Sequence, residues 1–276
     1  HRYSTDRRWF LPHFEKMLYD QAMISMASLE AYQMTGNKKY AKIAREIFTY
    51  VLRDMTDKDG GFYSAEDADS EGEEGIFYIW TEDELIEILG AEDGKKLAKI
   101  FGFIQGGNFQ EEASRHTTGN NIPYFPTNPE TLSKNSGMKL NEFNSFVEKS
   151  RQQLFDVREK RVHPLKDDKI LTDWNGLMIA ALSLGGQVLN DDTYIQAAKK
   201  ASDFVLESLR DKDGKLLKRS RLGKAGLQPH LDDYSFMVFG LLNLYEASFD
   251  ASYLESALKL TEIMVDDFSD ENGGFF

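Results

Sequence analysis

Cysteine is absent from the 276 residues. Disulfides, thiolate metal sites and redox dithiols are therefore excluded, and a reducing, cytoplasmic location is the expectation. No apolar run approaches the ~20 residues that a membrane-spanning helix needs. Positive charge is in deficit, with 33 Lys and Arg against 46 Asp and Glu and a net charge of -13. A phosphate backbone or an anionic membrane would repel such a chain, so neither nucleic acid nor membrane is an expected partner. There is no Walker loop, dinucleotide-binding glycine fingerprint, HExxH or GxSxG, so no cofactor is expected. The chain opens on His1 and stops within "ENGGFF". A fragment truncated at both ends is expected, and the lack of a visible leader carries no weight.

What is present is a folding composition. The 41% hydrophobic and 12% aromatic content suits one large or two ordinary domains with a sizeable core. One acidic stretch, "GGFYSAEDADSEGEEG" (60–75), packs six carboxylates between Glu66 and Glu74. Read as an EF-hand loop from Asp67, it places Tyr78 where the bidentate glutamate belongs. Calcium is excluded on that ligand, and no metal is expected.

Three segments share one pattern, anchored on Tyr40, Tyr194 and Tyr253. Three residues earlier stand Asn37, Asp191 and Asp250, good helix N-caps. Seventeen residues later stand Asp57, Asp211 and Asp270, each leading into Asp-Gly or Asn-Gly, pairs that favour tight turns at positive φ. Between the marks runs an amphipathic helix, with Ile43, Ala44, Ile47, Phe48 and Val51 as the stripe in the first copy. A more apolar helix precedes each anchor, over about 13–34, 173–188 and 232–248. Ala27, Ala181 and Gly240 occupy equivalent positions where these helices would pack closely.

The unit is thus a buried helix, a short turn, an amphipathic helix and a glycine-bearing return loop. Such units must stack on neighbours. The anchors are spaced by 154 and then 59 residues, which disfavours a strict solenoid and favours a closed ring with insertions. The expected fold is all-α, repeated helical hairpins forming part of an (α/α)6 toroid, with small β elements in the loops. Residues 1–276 are read as one such domain, with a long insertion loop over 105–137. Short helices are expected after Thr81 and a further helix from Leu140 to Arg158, and "GIFYIW" (75–80) reads as a short strand. The basic run "KLLKRSRLGK" (215–224) reads as a surface loop.

In such a ring the inner-helix ends open on the central cavity. Near them lie Tyr19-Asp20-Gln21, Asp173-Trp174-Asn175 and Asp232-Asp233-Tyr234. Aromatic faces that stack on pyranose C–H groups, beside carboxylates and amides that bind hydroxyls, suit a sugar. Asp173 and Asp232 read equally as plain N-caps, whereas a helix starting at Pro12 would put Asp20 two turns inside. Glu15 in that first turn would be favoured by the dipole alone. His13, between Trp9 and Tyr19, and His230, just before Asp232, form a possible acid–base pair for epimerisation. Glycosidic cleavage needs two carboxyl groups in unlike settings. Glu66, Asp67 and Asp69 are candidates at the cavity rim, whereas Glu71, Glu73 and Glu74 read as solvated. His116 and His163 fall in loops.

The words "HRYSTDRRWFLPHFEKMLYDQA", "GGFYSAEDADSEGEEGIFYIWT", "GGNF", "DDKILTDWNGLMIAAL" and "LDDYSFMVFGLLNLYEASFD" resemble, in order, those of the YyaL family. That family is related to the spermatogenesis-associated thioredoxin-like proteins. The resemblance covers essentially the entire chain. It implies an N-terminal thioredoxin-like domain, absent here, ahead of a six-hairpin glycosidase-like toroid of which this chain is the middle. It further implies kinship with N-acylglucosamine 2-epimerases and several glycosidase families, without fixing an activity.

The expected function is therefore carbohydrate-active, glycoside hydrolase-like or epimerase-like, on a small sugar. Asp20 and Asp173 lead as acid and base, with Glu66 or Asp69 third. Trp9, His13, Glu15, Asp67, Trp174, Asn175, His230, Asp232, Asp233 and Tyr234 are the expected substrate contacts. The competing reading is a non-catalytic binding or scaffold module serving the thioredoxin-like domain, with the aspartates spent on caps and ion pairs.

Overall fold

The computed structural model describes residues 2–109 and 119–276. Its elements follow the sequence repeat. Strand β1 (Lys16–Met17) leads into α1 (Leu18–Thr35), and α2 (Lys38–Asp54) completes the first hairpin. Strand β2 (Ala65–Glu66), the hairpin β3 (Asp69–Ser70) and β4 (Glu73–Glu74), then α3 (Glu82–Leu89) and α4 (Ala91–Ile100) come next. After them stand α5 (Pro129–Asn135), α6 (Leu140–Arg158), β5 (Lys166–Asp167) and β6 (Ile170–Leu171). The second hairpin is α7 (Thr172–Leu189) with α8 (Asp192–Ser208). Strands β7 (Arg219–Arg221) and β8 (Lys224–Gly226) precede the third, α9 (Leu231–Ser248) with α10 (Ala251–Phe268). The chain divides into two compact units, one of residues 3–15 and 67–165, the other of 16–66 and 166–276.

The second unit holds the three hairpins, and each turn is built alike. The residue after the inner helix takes the left-handed conformation: Gly36 (φ 65), Asn190 (φ 50) and Phe249 (φ 55). The next residue then caps the outer helix. Asn37, Asp191 and Asp250 accept the N–H groups of Lys39, Thr193 and Ser252, which satisfies donors no helical carbonyl can reach. The return loops repeat as well. Asp57, Asp211 and Asp270 accept the N–H two residues on, and their carbonyls take the N–H of Gly60, Gly214 and Gly273.

Inner helices α1, α7 and α9 pack side by side with α7 in the middle. Of α7's 18 residues, 14 are buried, including Met178, Ile179 and Leu182, as expected of a helix apolar all round. Gly176 and Gly240 let α7 and α9 approach: a Cβ on Gly240 would lie 2.5 Å from the Gly176 carbonyl oxygen. Ala181, its equivalent in α7, is buried, but Ala27 in α1 is exposed and mediates no such contact. Phe48 and Val51, Ala198 and Val205, and Ala257 and Leu260 bring the outer helices onto the same core.

In the other unit, Trp80, Leu85, Leu97, Phe143 and Leu154 form one cluster, and Phe14, Ala68, Ile79, Phe109 and Ile122 a second. "GIFYIW" is a turn, not a strand. The Tyr78 and Ile79 N–H groups close on the Gly75 carbonyl, and the Arg161 guanidinium gathers the carbonyls of Ile76, Phe77 and Ile79 while lying 3.9 Å over the Trp80 ring. The expected loop 105–137 contains α5, started by Asn128 as cap with Pro129 at the first helical position. Residues 110–118 of that loop, His116 among them, lie outside the described residues.

Candidate functional site

The inner helices begin at equivalent residues, Leu18, Thr172 and Leu231. Helix α1 therefore starts six residues beyond Pro12, because residues 3–13 close on themselves and Lys16–Met17 pair with Ala65–Glu66. Asp20 consequently sits in the first helical turn, not two turns inside. Each return loop is tied to a helix start: the Leu18 N–H donates to the Ser64 carbonyl and that of Thr172 to the Lys218 carbonyl.

Two expected substrate contacts are instead anchors for these loops. Asn175 accepts the Phe62 N–H at 2.8 Å and donates to the Phe62 and Leu171 carbonyls at 3.0 and 2.8 Å. Tyr234, its equivalent one repeat later, accepts the Leu216 N–H at 3.1 Å, and Leu216 is the equivalent of Phe62. Both side chains are fully buried. With no ring face or amide left over for a ligand, each grips the return loop of the preceding hairpin.

One residue earlier, or two, lies a charged cluster. Lys218 Nζ is 2.7 Å from Asp173 Oδ2 and 3.1 Å from Asp233 Oδ1. Asp173 Oδ1 accepts the Trp174 N–H, while Asp233 accepts the N–H of Asp173 on Oδ1 and of His230 on Oδ2. His230 is thus the N-cap residue of α9 and Asp233, at the third helical position, accepts its N–H, whereas the Asp232 and His230 side chains are exposed. Side-chain exposure grades from 0% at Asp233 through 9% at Asp173 to 20% at Lys218, so Asp173 and Lys218 are the members that meet solvent.

One ammonium serving two carboxylates leaves the deeper one under-compensated. Burial pushes the Asp233 carboxyl up; the His230 N–H works against that and the neighbouring Asp173 charge adds to it. Burial also works against the Lys218 charge, but the hydrogen bond to Asp173 and the charges of both carboxylates outweigh it and hold the ammonium above the ordinary lysine range. Lys218 belongs to the run read as a surface loop. It is instead drawn inward as β7 pairs with β6.

Trp174 packs edge-on against Tyr19 across the starts of α7 and α1, ring centroids 4.8 Å apart. At β1–β2, Lys16 pairs with Glu66 at 3.2 Å, with both side chains largely buried. Glu66 is thus sequestered with a cation, not displayed at a rim.

The remaining candidates belong to the other unit. Asp67 and Asp69 are exposed, and Asp67 accepts the Asp69 N–H at 3.3 Å. Glu71 and Gly72 form the two-residue β3–β4 turn, both at positive φ, as a type I′ hairpin requires. Glu74 is half-buried and paired: its Oε1 lies 2.9 Å from His13 Nδ1, while Glu15 lies 3.4 Å from His13 Nε2 and Tyr3 stacks on the imidazole. Trp9 is 83% exposed. Among the described residues no three His, Asp or Glu side chains converge as metal ligands.

No family model matches the chain. It is 36% identical to human spermatogenesis-associated protein 20, 35% to the rat protein and 30% to an uncharacterised Caenorhabditis elegans protein. The first two alignments cover 99% of this chain and 38% of the relative; the third covers 100% and 41%. The chain thus spans about two-fifths of the length of these relatives. Among solved structures it is similar to the family 76 glycoside hydrolase (mannosidase) Bt3792 of Bacteroides thetaiotaomicron, with a TM-score of 0.50, 12% identity and coverage of 95% of this chain and 48% of that one. The unsaturated glucuronyl hydrolase of Bacillus sp. GL1 gives a TM-score of 0.52, 13% identity and coverage of 99% and 52%. At such identities the likeness speaks for the fold: all-α hairpins of the (α/α)6 toroid type.

Proposed function

The chain belongs, over the stretch it spans, to the family of spermatogenesis-associated protein 20, and from that premise we propose that it is the toroid part of a carbohydrate-active protein. The reading takes residues 1–276 as one toroid domain, with a thioredoxin-like domain beside it in the full-length protein. The substrate is a small saccharide, held where α1, α7 and α9 begin. The observation that carries the proposal is the Asp173–Lys218–Asp233 cluster. It fixes Asp173 at the first turn of α7, beside α1, whose first turn carries Asp20 as the second of the two carboxyl groups that acid–base chemistry on a glycosidic bond requires. Asp173 is the carboxylate of the cluster that reaches solvent, 9% exposed against 0% for Asp233, and its Oδ2 lies 2.7 Å from the Lys218 ammonium that orients it. Asp20, in the first turn of α1, is the partner acid. Asp233 is a positioning residue that acts through Lys218 and Asp173.

The test is turnover of a panel of aryl glycosides and oligosaccharides by the full-length protein, with Asp173→Asn and Asp20→Asn as variants. Each is expected to lose about 10²–10⁴-fold in kcat while Asp233→Asn displaces the pH profile. Turnover that both variants retain would remove the reading. The second reading, a binding module without catalysis, is favoured by one observation. Asp233, Asn175 and Tyr234 are wholly engaged inside the protein. It predicts saccharides that raise Tm without being cleaved.

A further inference from the structure

Residues 3–13 form a closed hairpin loop with an unusual tip. Its stem is joined by Thr5 N–H to the Leu11 carbonyl and His13 N–H to the Tyr3 carbonyl. The Asp6 carboxylate rigidifies the turn by accepting the N–H groups of Phe10, Leu11 and Arg8 and the Ser4 hydroxyl at 2.7–3.1 Å. The bond from Leu11 chief among these, they hold its carboxyl well below the usual range. At the tip stands Trp9 at φ 58 and 83% exposed. A bulky side chain is strained there, where glycine or asparagine would not be. Nor does the indole gain burial in return. Leu222, Leu227 and Phe249 are also exposed at positive φ, but in turns whose repeat or strand pairing sets the conformation, and none is a tryptophan preceded by two exposed arginines. Arg7 and Arg8, both exposed, precede Trp9; Arg8 leans on Asp6 at 3.5 Å.

We infer that this tip is a recognition site for an acidic saccharide: Trp9 stacks on the apolar face of a pyranose ring while Arg7 and Arg8 engage its carboxylate or sulfate. The inference deepens the carbohydrate reading above and rests on it. A flat indole face suits the C–H side of a sugar ring, and guanidinium forks match planar or tetrahedral anions in two-point contacts. In a chain of net charge -13, an exposed aromatic directly preceded by two arginines is a place where the repulsion of an anion is offset locally. The pre-locked turn removes the ordering cost that a flexible loop would incur on binding.

The experiment is a titration of the full-length protein with tetragalacturonate, maltotetraose and a thymidine oligonucleotide, followed by calorimetry and tryptophan emission. Tetragalacturonate is expected to bind and change the emission, and maltotetraose to bind about tenfold more weakly. Trp9→Gly is expected to weaken tetragalacturonate binding by about tenfold or more, with Tm unchanged or raised because the strain is relieved. Trp9→Phe keeps part of the affinity, and the Arg7→Ala/Arg8→Ala pair erases the preference for the acidic sugar. Unaltered binding by Trp9→Gly, no binding of either saccharide, or tighter binding of the oligonucleotide than of tetragalacturonate each overturns the assignment. Binding lost in Trp9→Gly but kept in Asp173→Asn, without cleavage of any saccharide, upholds the tip and sinks only the catalytic reading. Asp173-dependent turnover with normal binding by Trp9→Gly does the reverse.

Discussion

Asp233 shows how one residue can oppose the stability it helps to organise. Its carboxyl closes the first turn of α9 and holds Lys218, yet burial raises it above the ordinary value of 3.8. Well below that value it is protonated in both the folded and unfolded states and adds no pH dependence. Between 3.8 and the raised folded value, the native state keeps a proton that the unfolded chain has released, so stability falls as pH rises. Asp167 runs the other way. Burial works against its charge, but the side chain and N–H of Lys169 win and its folded value is lowered, so its contribution is lost as pH falls below the ordinary range. Replacing Asp233 by Asn isolates the first effect. The stability of the native protein relative to Asp233→Asn is expected to be greatest below the ordinary value of 3.8 and to shrink as pH rises through the raised folded value. Thermal melts across that window measure it; a difference that stays constant or grows with pH would show that the carboxyl is not held up by burial.

At the level of elements, the return loops are fastened by side chains from the next inner helix. Asn175 supplies three hydrogen bonds and Tyr234 one at the equivalent place. Tyr234→Phe keeps the packing and strands only the Leu216 N–H, so it is expected to cost about 1–3 kcal/mol. Asn175→Ala strands both the donor and the acceptor of Phe62 and should cost more. Denaturant titration of the two variants checks the order, and a Tyr234→Phe loss exceeding that of Asn175→Ala would contradict it. These elements explain what the sequence showed and what it hid. Helix lengths, caps and glycine turns depend on residues close together in the chain, so the three tyrosine-anchored repeats disclosed all six hairpin helices. The candidate site depends on pairings across distance. Lys218 reaches Asp173 from 45 residues away, and nothing in "KLLKRSRLGK" distinguishes an inward lysine from a solvated one. The same applies to Glu74, one carboxylate in an acidic run until His13 arrives from 61 residues away. Lys218 and its equivalent, Ser64, share only a backbone role, each carbonyl receiving the first N–H of its own hairpin's inner helix, so the repeat carries no mark of the side chain's direction.

For the molecule as a whole, the repeat means that no hairpin is independent. Helix α7 buries 14 of its residues, whereas α1 and α9 bury six each, so the middle helix is completed only by its neighbours on both sides. Gly176 marks how closely: a Cβ there would lie 2.4 Å from the Phe236 carbonyl oxygen of α9. Removing the third hairpin by ending the chain at residue 230 would expose that face of α7. It would also release the return loop held by Tyr234 and leave Asp173 and Lys218 without Asp233. Each apolar side chain uncovered forfeits about 1.5–3 kcal/mol of burial, and whole domains are stable by only about 5–15 kcal/mol. Losing contacts from Met237, Leu241 and Leu244 together is therefore expected to abolish cooperative unfolding of the hairpin unit. Far-ultraviolet circular dichroism through a thermal ramp would show a broad, low-temperature loss of helix in the shortened chain. A sharp transition at the original Tm would mean that the first two hairpins form a self-sufficient core and that stacking on α9 adds little.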